Sequence, residues 1–237
     1  MDDILDSIFD LTGRTLTPGQ VQAFEIFENE LCVWNQKINL TAIRDRKEIR
    51  VKHFLDSLTC LPLLGDSSDM KLIDIGTGAG FPGIPIKICE PVFKVALTDS
   101  VEKKLDFCRH IIEKLSLDGI TTIHARAEDL GQSPEHREKY DRATARAVAS
   151  MPVLVEFLLP LLKIGGMAVI QKGENGPVET QEAKRAIKII GGELERINPV
   201  NLPGIAETRF LITIRKIAST PKGYPRRAGI PAGKPIL

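Results

Sequence analysis

Leu72-Ile73-Asp74-Ile75-Gly76-Thr77-Gly78-Ala79-Gly80-Phe81-Pro82-Gly83 is an apolar strand emptying into a loop with glycine at alternate positions. Glycine accepts positive φ and has no Cβ, so such a loop lets a ligand approach the main chain at the carboxyl end of a strand. Pro82 and Pro85 suit the first turn of a following helix, where backbone amides have no helical partner to lose. A lone glycine pair would mean only a tight turn. Several glycines directly after a strand point to a nucleotide site.

The pattern around the loop sets the fold class. From Lys71 onward, short apolar runs alternate with amphipathic stretches: LIDIG then a helix over 81–90, VALTD then a helix over 101–117, ITTIHA then a polar helical segment. DRATARAV precedes the apolar stretch 150–162, and GMAVIQK precedes a charged helix over 178–190. Strand and helix alternating at this spacing give a parallel sheet with helices on both faces. LERINPV and RFLITIRKI are joined only by a loop with Pro203 and Gly204, so they should pair antiparallel at one edge. An α/β, Rossmann-like sheet that is mainly parallel and ends in an antiparallel hairpin is the shape of class I methyltransferases rather than of dinucleotide dehydrogenases.

Residues 1–65 carry no strand signal and read as a helical extension. Ile4, Leu5, Ile8 and Phe9 repeat at helix spacing up to Gly13. Thr17-Pro18-Gly19-Gln20 has a capping box with proline at the first helical position, and Val21, Phe24, Phe27, Leu31 and Trp34 follow as a stripe. A third helix is expected from Lys47 to Leu61, ended by the Pro62 region. The expected divisions are therefore 1–65, a cofactor-binding domain over 66–217, and a basic tail over 218–237.

Composition excludes other classes. The chain has 237 residues, 43% hydrophobic and 27% charged, which fits a folded, soluble chain with one core and an appendage. The most apolar run, Met151 to Leu162, is broken by Glu156 and falls short of the roughly 20 residues of a membrane helix. The start MDDILDSIFD is acidic where a signal peptide is basic, so a cytoplasmic protein is expected. Cys32, Cys60, Cys89 and Cys108 form no Cys-x-x-Cys pair, and His53, His110, His124 and His136 are scattered, so no metal site is expected. Net charge is +1, yet the chain after Glu207 carries seven Lys or Arg and no acid. That basic tail is expected to follow phosphates of a polyanion with about two to four charges, its cofactor site lying elsewhere in the sheet. The competing expectation packs Tyr224, Ile230 and the prolines back onto the body.

Gly78, Gly80 and Gly83 satisfy the dinucleotide pattern G-x-G-x-x-G, with Asp99 19 residues past Gly80. Asp74 argues against a diphosphate, because its carboxylate is expected at the strand mouth. S-adenosylmethionine carries an ammonium and a sulfonium, and there a carboxylate attracts. Asp99, closing the second strand, can accept both ribose hydroxyls of an adenosine, or cap the helix from Val101. Ala127 and Glu128 can meet the adenine edge, or Glu128 can be a solvated loop residue. The Asn-Pro-Pro type motif of exocyclic-amine methylation is absent, the corresponding place reading Thr144-Ala145-Arg146-Ala147. No cysteine lies in that region for pyrimidine-carbon chemistry. An acceptor that is already nucleophilic, such as a ring nitrogen, remains. Arg146 is a candidate contact to a cofactor carboxylate or substrate phosphate, and Lys172 to the substrate. Each reads equally as an exposed strand-end cation.

Trp34-Asn35, Asn39-Leu40-Thr41, His53-Phe54-Leu55-Asp56-Ser57, Asp74 through Pro85, Thr98-Asp99-Ser100, Arg146-Ala147 and Lys172-Gly173 together resemble the RsmG family, also called glucose-inhibited division protein B. The resemblance spans nearly the whole chain. It implies methyl transfer from S-adenosylmethionine to N7 of a guanine in small-subunit (16S) ribosomal RNA, free or in an assembling subunit, by a monomer. Gly76, Phe81, Ala127, Glu128 and Arg146 match the family's cofactor-contact positions, Phe81 standing where some members have leucine. The His53–Ser57 group and Trp34-Asn35, which by themselves signal only packing, are implied to shape the cleft beside the cofactor. An NAD(P)-dependent oxidoreductase and a non-enzymatic RNA-binding assembly factor are the alternatives at this point.

Overall fold

A computed structural model describes residues 1–65 and 69–237; the expected boundary after residue 65 adjoins Asp66–Ser68, which lie outside the described residues. Strands β1 (Lys71–Ile75), β2 (Lys94–Asp99), β3 (Ile120–His124), β4 (Tyr140–Arg146), β5 (Leu162–Lys172), β6 (Gly192–Val200) and β7 (Arg209–Lys216) form one sheet in the order β3-β2-β1-β4-β5-β7-β6. The first five run parallel, with Ile73 beside both Ala96 and Ala143. β7 pairs antiparallel with both β5 and β6, the expected edge hairpin. The chain winds outward from β1 to β3 and returns to β4 on the other side of β1. The crevice at the carboxyl ends of β1 and β4 is therefore the switch point where open α/β sheets take ligands.

Both faces of the sheet are buried, which explains near-continuous apolar strands instead of strict alternation. Ile73, Ala143, Ile170 and Ile212 point to one face, packing on Leu154 and Leu158 of the helix Met151–Leu158 and on Ile187 and Ile190. Leu72, Leu97, Val169 and Leu211 point to the other, where Ile84, Phe107 and the N-terminal residues Phe24, Phe27, Leu31, Phe54 and Leu58 cover them. The N-terminal helices thus share one core with the sheet.

Local signals account for those helices. α1 (Leu5–Thr12) ends where Gly13 turns left-handed at φ 68° and returns its amide to Phe9 O. α2 (Pro18–Trp34) has the full capping box: Thr17 Oγ1 accepts the Gln20 amide and Gln20 Oε1 accepts the Thr17 amide. The third helix differs from expectation. α3 (Arg46–Ile49) starts on Asp45, which caps the Glu48 amide at 2.9 Å, and runs into a π-turn over Arg50–Leu55 before α4 (Asp56–Leu58). Pro62 does not stop helix formation. It sits in the first turn of α5 (Leu61–Leu64), where the missing amide costs nothing, and Gly65 ends that helix. Glu28, 1% exposed on α2, accepts from Arg46 at 3.0 Å and Arg50 at 2.8 Å and ties the segments together.

The remaining helices are α6 (Gly83–Cys89), α7 (Glu102–Lys114), α8 (Ala127–Gln132), α9 (Met151–Leu158), α10 (Gly176–Glu182), α11 (Lys184–Ile190) and α12 (Ile230–Gly233). The expected helix over 178–190 is broken at Ala183 into α10 and α11. The C-terminal segment is tied to the body through its backbone carbonyls and through Lys216. Lys216 is fully buried, donating to Ile190 O and Thr220 Oγ1, and desolvation pulls its pKa down to about 8. Arg137 donates to the carbonyls of Thr220 and Tyr224, each at 2.7 Å. Arg226 forks onto Glu156, and only Lys222, Arg227 and Lys234 of the segment's cations face solvent. Carbonyls that cannot form a sheet or long helix here find fixed donors on the body, so the segment packs back. No helix among the described residues is long and apolar enough to cross a membrane.

Candidate functional site

The glycine loop turns because three of its positions, Gly76, Gly80 and Gly83, have no room for a Cβ. Gly76 has φ 67°, and a Cβ there would lie 2.5 Å from Val148 Cγ2. A Cβ on Gly83 would lie 2.3 Å from Leu97 Cδ2 and 2.9 Å from Asp74 Oδ2, so this glycine lets α6 pack onto β2. Gly78 donates its amide to Asp99 Oδ2 at 2.9 Å, and Gly80 carries the turn into α6 through Ile84 N to Gly80 O.

Asp74 is not at the strand mouth. It is fully buried below the loop, where Oδ2 accepts from Thr77 Oγ1 at 2.6 Å and from the Gly83 amide at 2.9 Å. Desolvation pushes its pKa up to about 6, against the lowering pull of those bonds. The residue pins both ends of the loop, and its charge faces protein. The strand alternation placed Asp74 toward the helix side, where the sequence offered no sign of the partners waiting there.

Above the carboxyl ends of β1 and β2 lies a cavity of about 240 Å³ lined by Gly76, Asp99, Ala127, Glu128, Val148 and Phe157 among others. Asp99 is 7% exposed, Oδ2 on the Gly78 amide and Oδ1 on the Val101 amide at 2.9 Å. Asp99 thus holds the turns on either side of its strand end and still faces the cavity, since each carboxylate oxygen has a second lone pair, while the helix from Glu102 has no side-chain cap. Glu128 is buried rather than solvated, and its Oε1 accepts the Gly229 amide at 3.0 Å. Apolar walls with carboxylates at the polar positions fit an adenosine, whose ribose hydroxyls and exocyclic amine are donors. Asp99 and Glu128 are the two carboxylates this cavity presents.

A second cavity of about 510 Å³ adjoins it, lined by Lys52, His53, Asp56, Arg146, Ala147, Gln171, Lys172 and Arg209 among others. Arg146, Ala147 and Val148 at the end of β4 carry the wall from one cavity into the other. Ala147 is left-handed at φ 56°, a strained setting for a residue with a Cβ and one that clusters at functional sites. Arg146 donates to Asp56 Oδ2 at 2.9 Å and to Lys52 O at 3.1 Å, and its guanidinium lies 5.1 Å from the Phe81 ring centre. The carbonyl of Lys52 belongs to the π-turn, where helical hydrogen-bond spacing is loosened. His53 Nδ1 accepts from Arg146 at 3.3 Å, so Nε2 holds the proton and donates to Thr41 Oγ1 at 2.8 Å. Burial, reinforced by the Arg146 charge, depresses its pKa to about 3 and keeps the ring neutral.

Asn35 holds this arrangement from behind: Nδ2 donates to Thr41 O, while Oδ1 accepts the amides of Leu40 and Thr41. Trp34 packs on Phe107 and His110 instead. Phe81, 5% exposed, is stacked between Phe27 at 5.2 Å and His53 at 4.7 Å and lines neither cavity. Lys172 is paired, 2.7 Å from Glu179 and 3.0 Å from Ala149 O. Gly76, Asp99, Ala127 and Glu128 thus meet in one cavity and Arg146 and Lys172 in the other, while Asp74, Gly80 and Phe81 are buried and line neither, and Gly78 is half-buried beside the Asp99 carboxylate. Sequence reasoning missed Asp56 as the partner of Arg146; its only trace was polar His53, Asp56 and Ser57 at helical spacing among apolar neighbours. It also missed Glu156, Gly229 and Ala232.

The family model GidB, described as rRNA small subunit methyltransferase G, matches residues 20–206. A ribosomal RNA small subunit methyltransferase G from Desulforamulus reducens is 51% identical over 221 residues, covering 93% of this chain and 92% of the relative. One of the same description from Roseiflexus castenholzii is 47% identical over 237 residues, covering all of both chains. Among solved structures, a SAM-dependent methyltransferase from Aquifex aeolicus superposes with a TM-score of 0.54 at 19% identity, over 71% of this chain and 93% of that one. That likeness covers the class I methyltransferase sheet described above. Identity near one half over nearly the whole chain, together with the matching family model, places the chain in the small-subunit ribosomal RNA methyltransferase G family.

Proposed function

We propose that the chain methylates N7 of a guanine in small-subunit ribosomal RNA, with S-adenosyl-L-methionine as methyl donor. The observation that carries this reading is the shared wall: Arg146 and Ala147 face the larger cavity and Val148 the adenosine-sized one. A base seated in the larger cavity would then lie beside a cofactor held in the smaller one. The bound cofactor supplies a methyl group on a sulfonium. As the N7 lone pair forms the new C–N bond, the S–C bond electrons stay on sulfur, so positive charge passes to the ring and no proton moves.

The side chains present suit such a reaction. Guanine N7 needs positioning and no general base. His53 is held neutral and its only proton is engaged by Thr41, so it orients Arg146 and does not abstract a proton. Cys60 and Cys108 are buried with their thiol pKa values pushed up by desolvation, which denies the thiolate that carbon methylation needs. Asp99, Glu128, Ala127, Gly76 and Gly78 would hold the adenosine, and Asp74, Gly80 and Phe81 would set the loop behind it. Arg146 and Lys172 would meet the base or its phosphate, each already anchored by a carboxylate. A cytoplasmic monomer acting on free or assembling subunit RNA is the setting that accords with this.

Incubation with methyl-labelled S-adenosyl-L-methionine and small-subunit RNA from cells lacking the gene, followed by nucleoside analysis, tests the proposal. Label is expected in 7-methylguanosine. Label in any other nucleoside, or none on naked and ribosomal RNA alike, refutes it.

A further inference from the structure

We propose that the C-terminal segment from Arg226 to Gly233 is part of the cofactor site, closing the adenosine end of the cavity, and that its docking and cofactor binding strengthen each other. This rests on the methyltransferase reading. Gly229 and Ala232 line the cavity of about 240 Å³ alongside Asp99 and Glu128, although more than a hundred residues of chain separate them from either. The Gly229 amide donates to Glu128 Oε1 at 3.0 Å, so a carboxylate assigned to the adenosine is held in place by the segment.

The attachment is built in, not incidental. Glu156 is fully buried in α9, and Arg226 gives it a backbone amide at 2.7 Å, Nε at 2.9 Å and Nη2 at 2.7 Å. Without the segment that carboxylate would be a buried charge lacking these donors, which is costly in a low-dielectric setting. The next residue in α9, Phe157, lines the same cavity. Gln132, at the end of the helix that carries Glu128, donates to Pro225 O at 2.7 Å. One anchor therefore braces the Phe157 wall and the other braces α8. Ligand contacts on the inner side and ion pairing on the outer side bias the same docked state, and coupling of that kind is reciprocal.

The test uses the full chain, a chain ending at Ile217, and Arg226→Ala, with calorimetric binding of S-adenosyl-L-methionine and circular dichroism to confirm folding. Affinity is expected to fall about tenfold or more in both altered proteins. In the full chain, saturating cofactor should slow hydrogen exchange of the Gly229 amide by a comparable factor, a readout that stands even where the shortened chain does not fold. Affinities within twofold of the parent in folded variants, or exchange at Gly229 unaffected by cofactor, overturns the coupling. A full chain that binds no S-adenosyl-L-methionine fails the methyltransferase reading itself, an outcome distinct from equal binding in all three.

Discussion

Replacing His53 by Gln should flatten the acid side of the stability profile. The folded His53 is depressed to about 3 from its ordinary 6.5, chiefly by burial and next by the Arg146 charge. A depressed folded pKa means stability that is present above 6.5 and lost as pH falls toward 3, because the unfolded chain takes up a proton that the folded chain refuses. At pH 5 the difference amounts to about 1.5 pH units, or about 2 kcal/mol at 1.36 kcal/mol per unit. Asp74, raised to about 6, works in the opposite sense, its contribution being lost as pH rises through about 6. That term is common to parent and variant and cancels in the comparison. Urea unfolding at pH 8 and pH 5 measures the effect: the parent should lose about 2 kcal/mol more than His53→Gln between the two. Parallel losses would show that the ring is not held neutral, and the tautomer that lets Nδ1 accept from Arg146 would fall with it.

Asp99→Ala should weaken S-adenosyl-L-methionine binding by about 1.5 to 3 kcal/mol, the scale of hydrogen bonds to a charged group, read by calorimetry; equal affinity sinks the ribose assignment. Gly76→Ala places a methyl 2.5 Å from Val148 at a left-handed φ, and should cost about 1 to 3 kcal/mol in chemical unfolding, an unchanged midpoint being the contrary result. Lys172→Met should lower kcat/KM for RNA while leaving cofactor affinity alone; unchanged kinetics would reduce the Lys172–Glu179 pair to a structural contact.

The sheet was legible because its determinants are local. Strand, glycine loop and helix recur in Leu72–Pro85 with periods that no other fold class supplies, and the short link through Pro203 and Gly204 dictated the antiparallel edge. Asp99 and Glu128 were legible as strand-end and post-strand carboxylates, since chain order alone brings such ends to the switch point. The π-turn was not, because no local pattern marks it and a partner of its Lys52 carbonyl, Arg146, lies 94 residues away. Asp74 was misplaced for a related reason. A carboxylate after an apolar run faces solvent or core depending on partners that only tertiary structure supplies, here Thr77, Thr144 and the Gly83 amide. The terminal segment's attachment was hidden because its charge was visible and its acceptors were not: Glu156 lies inside an apolar helix, where sequence shows only an interruption.

The charge arrangement of the larger cavity bears on how RNA is held. Its lining includes four cations, Lys52, Arg146, Lys172 and Arg209, and four carboxylates, Asp56, Glu174, Glu179 and Glu207, with His53 neutral. Formal charge there is balanced, and Arg146 and Lys172 each sit within 3 Å of a carboxylate. Such a cleft exerts little long-range pull on phosphate, so steering of RNA has to come from surface cations outside it. What the balanced cleft does offer is tolerance of a change in charge. Transfer to N7 makes the base cationic, and a cavity lined by unpaired arginines and lysines would oppose that step, whereas Asp56 and Glu179 compensate it. The same pairing restricts where Arg146 can point, to the fork held by Asp56 and the Lys52 carbonyl. The ion pairs of this site therefore act on geometry and on product charge, while affinity for the polyanion is left to the exterior.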